Sequence, residues 1–326
     1  MITKTGAEAL IPEEYSPEIF KSAVENSTIL RLARRLPNMA RGVRSLPVMS
    51  ALPIAYFVDG TPSTPPNNSV GMKQETSAEW KNKNIYAEEL AVIVPIPQSV
   101  LDDANYDIWG EIKPYIGEAF GKALDAAILF GTNAPASWPT NLLAGATAAG
   151  NTIALGTGGD LYDDLMGASG LIALVEEDGF LPTGYIADIT MRGKLRGLRD
   201  TTTGLPIFRP TMEGMQAGTS YSLDGQPIYF PMTDVIDVTK ALMFAGDWQK
   251  LVYAFRTDLS YKILDQAVIQ NPVTGDIVYN LAQQDMVALR AYMRFGWQLP
   301  NPVNRMQAVE ANRYPVSVLT PPVTPP

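Results

Sequence analysis

Two extended segments, Leu46–Val58 and Ala78–Ile96, are separated by a tip that no sheet interior accepts, Gly60-Thr61-Pro62-Ser63-Thr64-Pro65-Pro66-Asn67-Asn68. Gly, Pro and Asn favour turn conformations, and Pro withholds a backbone donor. The tip therefore reverses the chain, and its flanks become the arms of a long hairpin. At ~3.3 Å per residue such arms project roughly 40 Å. A two-stranded ribbon is marginal by itself in water. The hairpin must fold back on its own domain or lie on a neighbouring molecule.

The remaining chain mixes helices with strands. An arm punctuated by Pro12 and Pro17 leads to a short helix, with Ser27 or Thr28 as its cap and Ile29, Leu30, Leu32 and Ala33 as its apolar side. Ile108, Ile112, Ile116, Phe120, Ala123, Ala127 and Phe130 recur at spacings of three and four and predict the longest helix within 98–131. Asp102 and Asp103 suit a helix start or a turn, Lys122 and Asp125 fall on the polar side, and Gly131 is the stop. Pro114 would cost about 3 kcal/mol in a helix interior, so the helix kinks there or starts close before it. Residues 132–160 read as a loop, Leu161 to Val175 as a second helix, Gly184–Ala187 as a buried strand and Thr190–Asp200 as a third helix. Gly204–Gly218 reads as a loop, and residues 225–233 and 241–245 as short strands. Leu251, Tyr253 and Phe255 alternate, as do Leu259, Tyr261 and Ile263, which predicts a hairpin turning at Arg256-Thr257-Asp258. Val287, Leu289, Ala291, Met293, Phe295 and Trp297 mark a long half-buried strand. Pro315–Pro326 reads as extended or disordered. Without βαβ repetition or an internal repeat, the fold class is α+β.

The chemistry is narrowed by what is missing. The chain has no Cys and no His, which removes thiol nucleophiles, disulfides, a Ser-His-Asp triad and zinc sites of the usual kind. Carboxylates remain, as the pairs Asp102/Asp103, Asp163/Asp164 and Glu176/Glu177. Adjacent acids on a helix point apart and do not converge as an acid–base dyad. Thr157-Gly158-Gly159-Asp160 lacks the Gly-Lys-Ser/Thr of a phosphate loop, and Asp107, Asp163 and Asp164 lack a calcium-loop pattern. The basic run Met191-Arg192-Gly193-Lys194-Leu195-Arg196-Gly197-Leu198-Arg199 reads as a solvated or inter-subunit face. No cofactor or metal is expected, and the protein is not expected to be an enzyme. No apolar run reaches the roughly eighteen residues of a membrane span. The net charge of −9 is not that of a phosphate-neutralising nucleic-acid binder.

The order of parts resembles the tailed-bacteriophage major capsid proteins of the Hong Kong 97-like fold. Gln98-Ser99-Val100-Leu101-Asp102-Asp103-Ala104 resembles that family's turn into its spine helix. Ala119 to Gly131, with Asp125 and the terminal Gly, resembles the end of that helix. Asp224-Gly225-Gln226-Pro227-Ile228 resembles a family strand, and Gly246-Asp247-Trp248 with the segment after it resembles the return between domains. The match covers most of residues 10–310.

The resemblance implies an N-terminal arm (1–45), a projecting hairpin or E-loop (46–97), the spine helix with part of the peripheral P-domain (98–150), an axial A-domain (151–245), a return to the P-domain (246–310) and a Pro-rich tail (311–326). It implies a homo-oligomer of hexamers and pentamers, closing into an icosahedral shell around double-stranded DNA without sequence-specific binding. The Gly204–Gly218 loop would line the capsomer axis. The implied location is the virion capsid, assembled in the bacterial host cytoplasm, with a portal and a decoration protein as further partners and no membrane. Because the chain starts at Met1 almost directly with the arm, scaffolding is expected from a separate protein or not at all. Lys73, Glu75, Arg41, Arg44 and Asn280 are the implied inter-subunit contacts. Some family members cross-link an E-loop Lys to a P-domain Asn with the help of a Glu. Lys73 and Asn280 fit those positions, but Val287 stands at the Glu position, which argues against a cross-link. The rival readings are an encapsulin-type compartment shell, a His-free carboxylate-dependent enzyme and a minor phage structural or adhesive protein.

Overall fold

The computed structural model describes residues 27–55, 75–103, 107–198 and 221–322. Residues 1–26, the hairpin tip and the Gly204–Gly218 loop lie outside these. Helix α1 (Thr28–Leu32) opens the described chain, and the Ser27 hydroxyl caps it by accepting from the Leu30 N–H at 3.1 Å. β1 (Arg34–Arg35) and β2 (Val43–Ala51) follow. The second extended segment divides into β3 (Glu79–Tyr86) and β4 (Glu88–Pro97), which join different sheets. Asp102 and Asp103 finish a short helix, α2 (Gln98–Asp103).

Helix α3 (Ile108–Phe130) is the spine. It begins six residues before Pro114 and runs through it, so the proline falls in the second turn. Gly131, at φ 73°, ends the helix in the left-handed conformation that a side chain would disfavour. Residues 132–160 are more ordered than their composition implies. Asn141 caps α4 (Leu142–Ala149) by accepting from Ala144 N–H, and β5 (Thr152–Ala154) follows. The single helix expected over Leu161 to Val175 is two, α5 (Leu161–Met166) and α6 (Leu171–Glu177). The break is at Gly167, whose ψ of 167° is extended. Any Cβ there would stand 2.4 Å from the Asp163 carbonyl oxygen.

β6 (Gly184–Ala187) and α7 (Met191–Gly197) match the expected elements, α7 being the shorter. β7 (Tyr221–Leu223), β8 (Gln226–Tyr229) and β9 (Met243–Gly246) come next. The hairpin expected at Arg256-Thr257-Asp258 is one continuous strand, β10 (Val252–Leu264). Its irregular register at Phe255–Ser260 absorbs the polar residues as bulges without reversing the chain. A small exposed hairpin, β11 (Val268–Gln270) with β12 (Ile277–Asn280), leads into β13 (Met286–Gln298). The C-terminal segment, expected to be extended or disordered, forms β14 (Val316–Thr320), which is buried. Its Val-Ser-Val-Leu-Thr sequence has strand propensity, and Pro315 and Pro321 only bracket it.

Two main sheets carry the fold. A four-stranded sheet has the order β1-β10-β13-β4, and a six-stranded one the order β5-β14-β9-β6-β8-β7. Between them lies one core. Ile116, Phe120, Leu124 and Ile128 of α3 pack with Leu289, Met293, Phe295 and Trp297 of β13 on one side and Ile186, Phe244, Val316 and Val318 of the six-stranded sheet on the other. Because side chains alternate along a strand, the other face of the six-stranded sheet, including Tyr185, Met243, Ala245 and Leu319, is sealed by Leu165, Leu171, Ile172, Met191 and Leu195 of α5, α6 and α7. Asp125, placed on the polar side of the spine by the periodicity, is 1% exposed, because α1 packs over that side.

Candidate assembly interface

Among the described residues the hairpin is a ribbon of two strands: β2 and β3 pair with each other, from Val43↔Tyr86 to Met49↔Trp80. Alternation gives it two faces. Arg44, Leu46 and Val48 share one face with Lys81, Lys83 and Ile85. Val43, Pro47 and Met49 share the other with Trp80 and Tyr86. The first face rests on the chain itself. Ile85 is buried with Val252, Ala254 and Met39, backed by Leu46. Gly296 permits this crossing, since a Cβ there would lie 2.4 Å from the Tyr86 carbonyl oxygen. Trp138 donates its indole N–H to the Tyr86 carbonyl at 3.2 Å, and Gln298 its amide to the Asn84 carbonyl at 2.8 Å.

Farther out, the loop 300–313 acts as a strap. Lys83 Nζ reaches Glu310 Oε1 at 2.6 Å, and Lys81 Nζ reaches Oε2 at 3.5 Å. These bonds, Lys83 first, hold the Glu310 carboxyl below its usual range. Val303 donates its N–H to the Met49 carbonyl, and Arg305 its guanidinium to the Pro53 carbonyl. The strap is shaped by Arg313, only 2% exposed. Its guanidinium donates to the carbonyls of Asn301, Gln307 and Ala308 and to the Asn301 side chain. Burial lowers its pKa. Ribbon and strap enclose a cavity of about 150 Å³ lined by Lys81, Lys83, Glu310 and Arg313 among others.

The outer face has no such cover among the described residues: Trp80 is 63% exposed, and Val43 and Ile54 are also open. The β11–β12 hairpin is similarly unprotected, with Val268, Ile277 and the fully presented Val273, 91% exposed. Large apolar side chains left open on thin projections mark surfaces for association.

The expected contact residues are spread over these projections. Arg41 and Glu75 are exposed near the hairpin. Arg44 donates to the Pro37 carbonyl at 2.9 Å, fastening the base of the hairpin. Asn280 ends β12 and is half-buried, in a different sheet from the ribbon. Lys73 lies outside the described residues. Val287 is half-buried and pairs with Ile96. Sequence reasoning missed Lys83, Glu310 and Arg313, because Lys83 and Glu310 are 227 residues apart and carry no joint local pattern.

Asp163 and Asp164 serve the chain itself: Asp163 donates its N–H to the Asp160 cap. Asp164, fully buried, accepts from the N–H groups of Gly156 and Gly158 at 2.5 and 2.6 Å. The glycine loop that superficially resembles a phosphate cradle is therefore filled by the chain's own carboxylate. Among the described residues no group of three acids is placed to hold a metal ion, and no helix is long and apolar enough to cross a membrane. On α7, Met191 and Leu195 are buried, while Arg192 lies over the Phe230 ring at 5.7 Å.

Comparison with known proteins agrees with this geometry. The model of the phage capsid family matches residues 7–304. The major capsid protein of Staphylococcus phage 80alpha is 30% identical over 285 residues, covering 86% of this chain and 78% of that protein. A solved structure from Microbacterium phage Oxtober96 superposes with a TM-score of 0.76 at 35% identity, over 98% of this chain and 99% of the other. One from Mycobacterium phage Adephagia gives 0.76 at 33% identity over the whole of both chains. The α+β architecture is that of the Hong Kong 97-like capsid proteins, and the chain belongs to the phage capsid family.

Proposed function

We propose that this protein is the major structural subunit of a tailed-phage head, self-assembling as hexamers and pentamers into an icosahedral shell around double-stranded DNA. The observation that carries the reading is the ribbon, anchored on one face by its own chain and open on the other at Trp80. A second copy supplies the cover that the described residues leave off the ribbon's outer face. Permanent interfaces of roughly 2,000 Å² or more are built from such projections. The arm (1–45) and the hairpin (46–97) are the reaching parts, residues 98–150 and 246–310 the P-domain, and 151–245 the A-domain, with the Gly204–Gly218 loop at the capsomer axis. Val316–Thr320 of the tail joins the six-stranded sheet as β14, and on this reading that part of the tail goes with the A-domain. The net charge of −9 keeps packaged DNA from adhering to the wall. Assembly takes place in the host cytoplasm, with a portal and a decoration protein as partners, and with scaffolding from a separate protein or none at all. Lys73, Glu75, Arg41, Arg44 and Asn280 contact neighbouring subunits.

Negative-stain electron microscopy of the expressed chain tests the proposal. Closed shells, or rings of five and six, are the expected result. A chain that stays monomeric even with its scaffolding protein present would overturn it.

A further inference from the structure

Where the N-terminal segment joins the body, an ionisable group is sealed inside. Asp125 projects from the spine α3 toward the start of α1, and its carboxylate takes the Ser27 hydroxyl at 2.6 Å, the Thr28 N–H at 2.8 Å and the Ile29 N–H at 3.4 Å. These contacts bridge nearly a hundred residues of sequence. Around them Ile29, Leu30 and Leu32 bury against the core, and the Tyr253 hydroxyl and Gln249 amide donate to the carbonyls of Leu30 and Leu32.

No cation accompanies the carboxylate among the described residues. Several titratable groups on the elements packed around it are engaged elsewhere. The Arg31 guanidinium lies over the Tyr229 ring, Lys122 is 3.9 Å from Asp234, Asp247 is beside Lys250, and Arg294 is on Glu89. The Tyr253 hydroxyl reaches α1 through the Leu30 carbonyl. Three dipolar donors thus face a charge that burial opposes.

We propose that Asp125 is a pH-sensitive latch for the root of the N-terminal arm, tightening on residues 27–32 when its carboxyl takes up a proton and loosening when it gives the proton up. The Ser27 hydroxyl makes both states possible. Facing the carboxylate it donates to Oδ1; facing the neutral acid it accepts the carboxyl proton while still accepting the Leu30 N–H. Oδ2 keeps the Thr28 N–H in either state. The neutral latch therefore retains its two short bonds without a buried charge.

Burial raises the Asp125 carboxyl from 3.8 to about 7, against the smaller opposing effect of the three donors. An acid raised on docking stabilises the docked state fully below its undocked pKa, and that contribution is lost as pH rises through the docked pKa. The window is therefore from about pH 4 to about pH 7. Within it the opening equilibrium rises by up to tenfold per pH unit. Above it the opening is pH-independent, and the root is held by its apolar contacts and its remaining hydrogen bonds, without the protonated latch.

Hydrogen exchange of the full-length chain between pH 5 and 8, corrected for the intrinsic pH dependence of exchange, tests the latch. Protection of a peptide spanning residues 27–33 should fall by up to tenfold per unit from pH 5 to 7 and then level off, while peptides from β9 hold constant. Asp125→Asn, which keeps the shape but cannot titrate, should remove the slope. Ser27→Ala, which removes the largest hydrogen bond to the charged form, should carry the slope above pH 7. A level wild-type profile, an equal slope in Asp125→Asn, or a fall shared by β9 would each overturn the proposal. If Asp125→Asn does not fold, the wild-type profile and the displacement in Ser27→Ala decide it.

Discussion

The six-stranded sheet and the β2–β3 ribbon are made from the same kinds of residue with opposite results. In the sheet, Phe244 turns to one side and Met243 and Ala245 to the other, and each meets a layer contributed by the same chain. In the ribbon one face meets Val252, Ala254 and the strap 300–313, while the face bearing Trp80 is left largely open among the described residues. The sheet's stability is therefore a property of one molecule. On the proposed reading, that of the ribbon's outer face belongs to an assembly. A capsid protein needs both, because the subunit must fold before it can be completed by its neighbours.

The comparison can be broken by substitutions whose cost to the single chain falls in steps. Phe244→Ala, which empties a fully buried site packed edge-on against Phe130 at 5.8 Å, should destabilise the unassembled chain by about 3–5 kcal/mol in denaturant titration. Gly296→Ala forces a Cβ against the Tyr86 carbonyl. A loss of about 1–3 kcal/mol is expected, with faster hydrogen exchange in β3 than in β9. Equal loosening of both strands would mean that ribbon and body are a single unit.

Glu310→Gln should cost less than about 1 kcal/mol, because its lysine partners are solvent-accessible. Its signature is in pH. The folded pKa is depressed, so the wild-type contribution is present above the ordinary carboxylate range and is lost as pH falls through the folded value. Exchange in β3 should accelerate in acid for the wild type and remain level for the variant. Trp80→Ala should leave the denaturation midpoint of the unassembled chain unchanged and yet reduce shell formation seen by electron microscopy. Normal shells from this variant would move the contact away from the ribbon's outer face.

Much of this was legible beforehand where a period repeats. Ile112, Ile116 and Phe120 announce the spine, and Leu289 to Trp297 announce β13. The long hairpin is evident from its tip. What the sequence concealed is set by distant partners. Arg256 and Asp258 resemble turn residues, but the apolar odd-numbered positions from Tyr253 to Ile263 keep one phase across them, and pairing with β13 holds the strand straight through. Asp125 was assigned to the polar side because a helical wheel knows only its own helix; the donors that bury it come from Ser27 and Thr28. The prolines around Val316–Thr320 outweighed a strand whose partners, β5 and β9, are more than sixty residues away. The strap on the ribbon is hidden for the same reason.

The position of β14 has a consequence for how the protein is made. Residues 316–320 leave the ribosome after every other strand of their sheet, yet they belong between β5 and β9. Until they arrive, β5 has no partner and β9 keeps one edge unpaired, and the nascent polypeptide cannot close its central layer. A translation product interrupted anywhere before this point keeps that gap open, and gapped sheets are substrates for chaperones and proteases. The six-stranded order is thus completed only when the chain has been read through to residue 320.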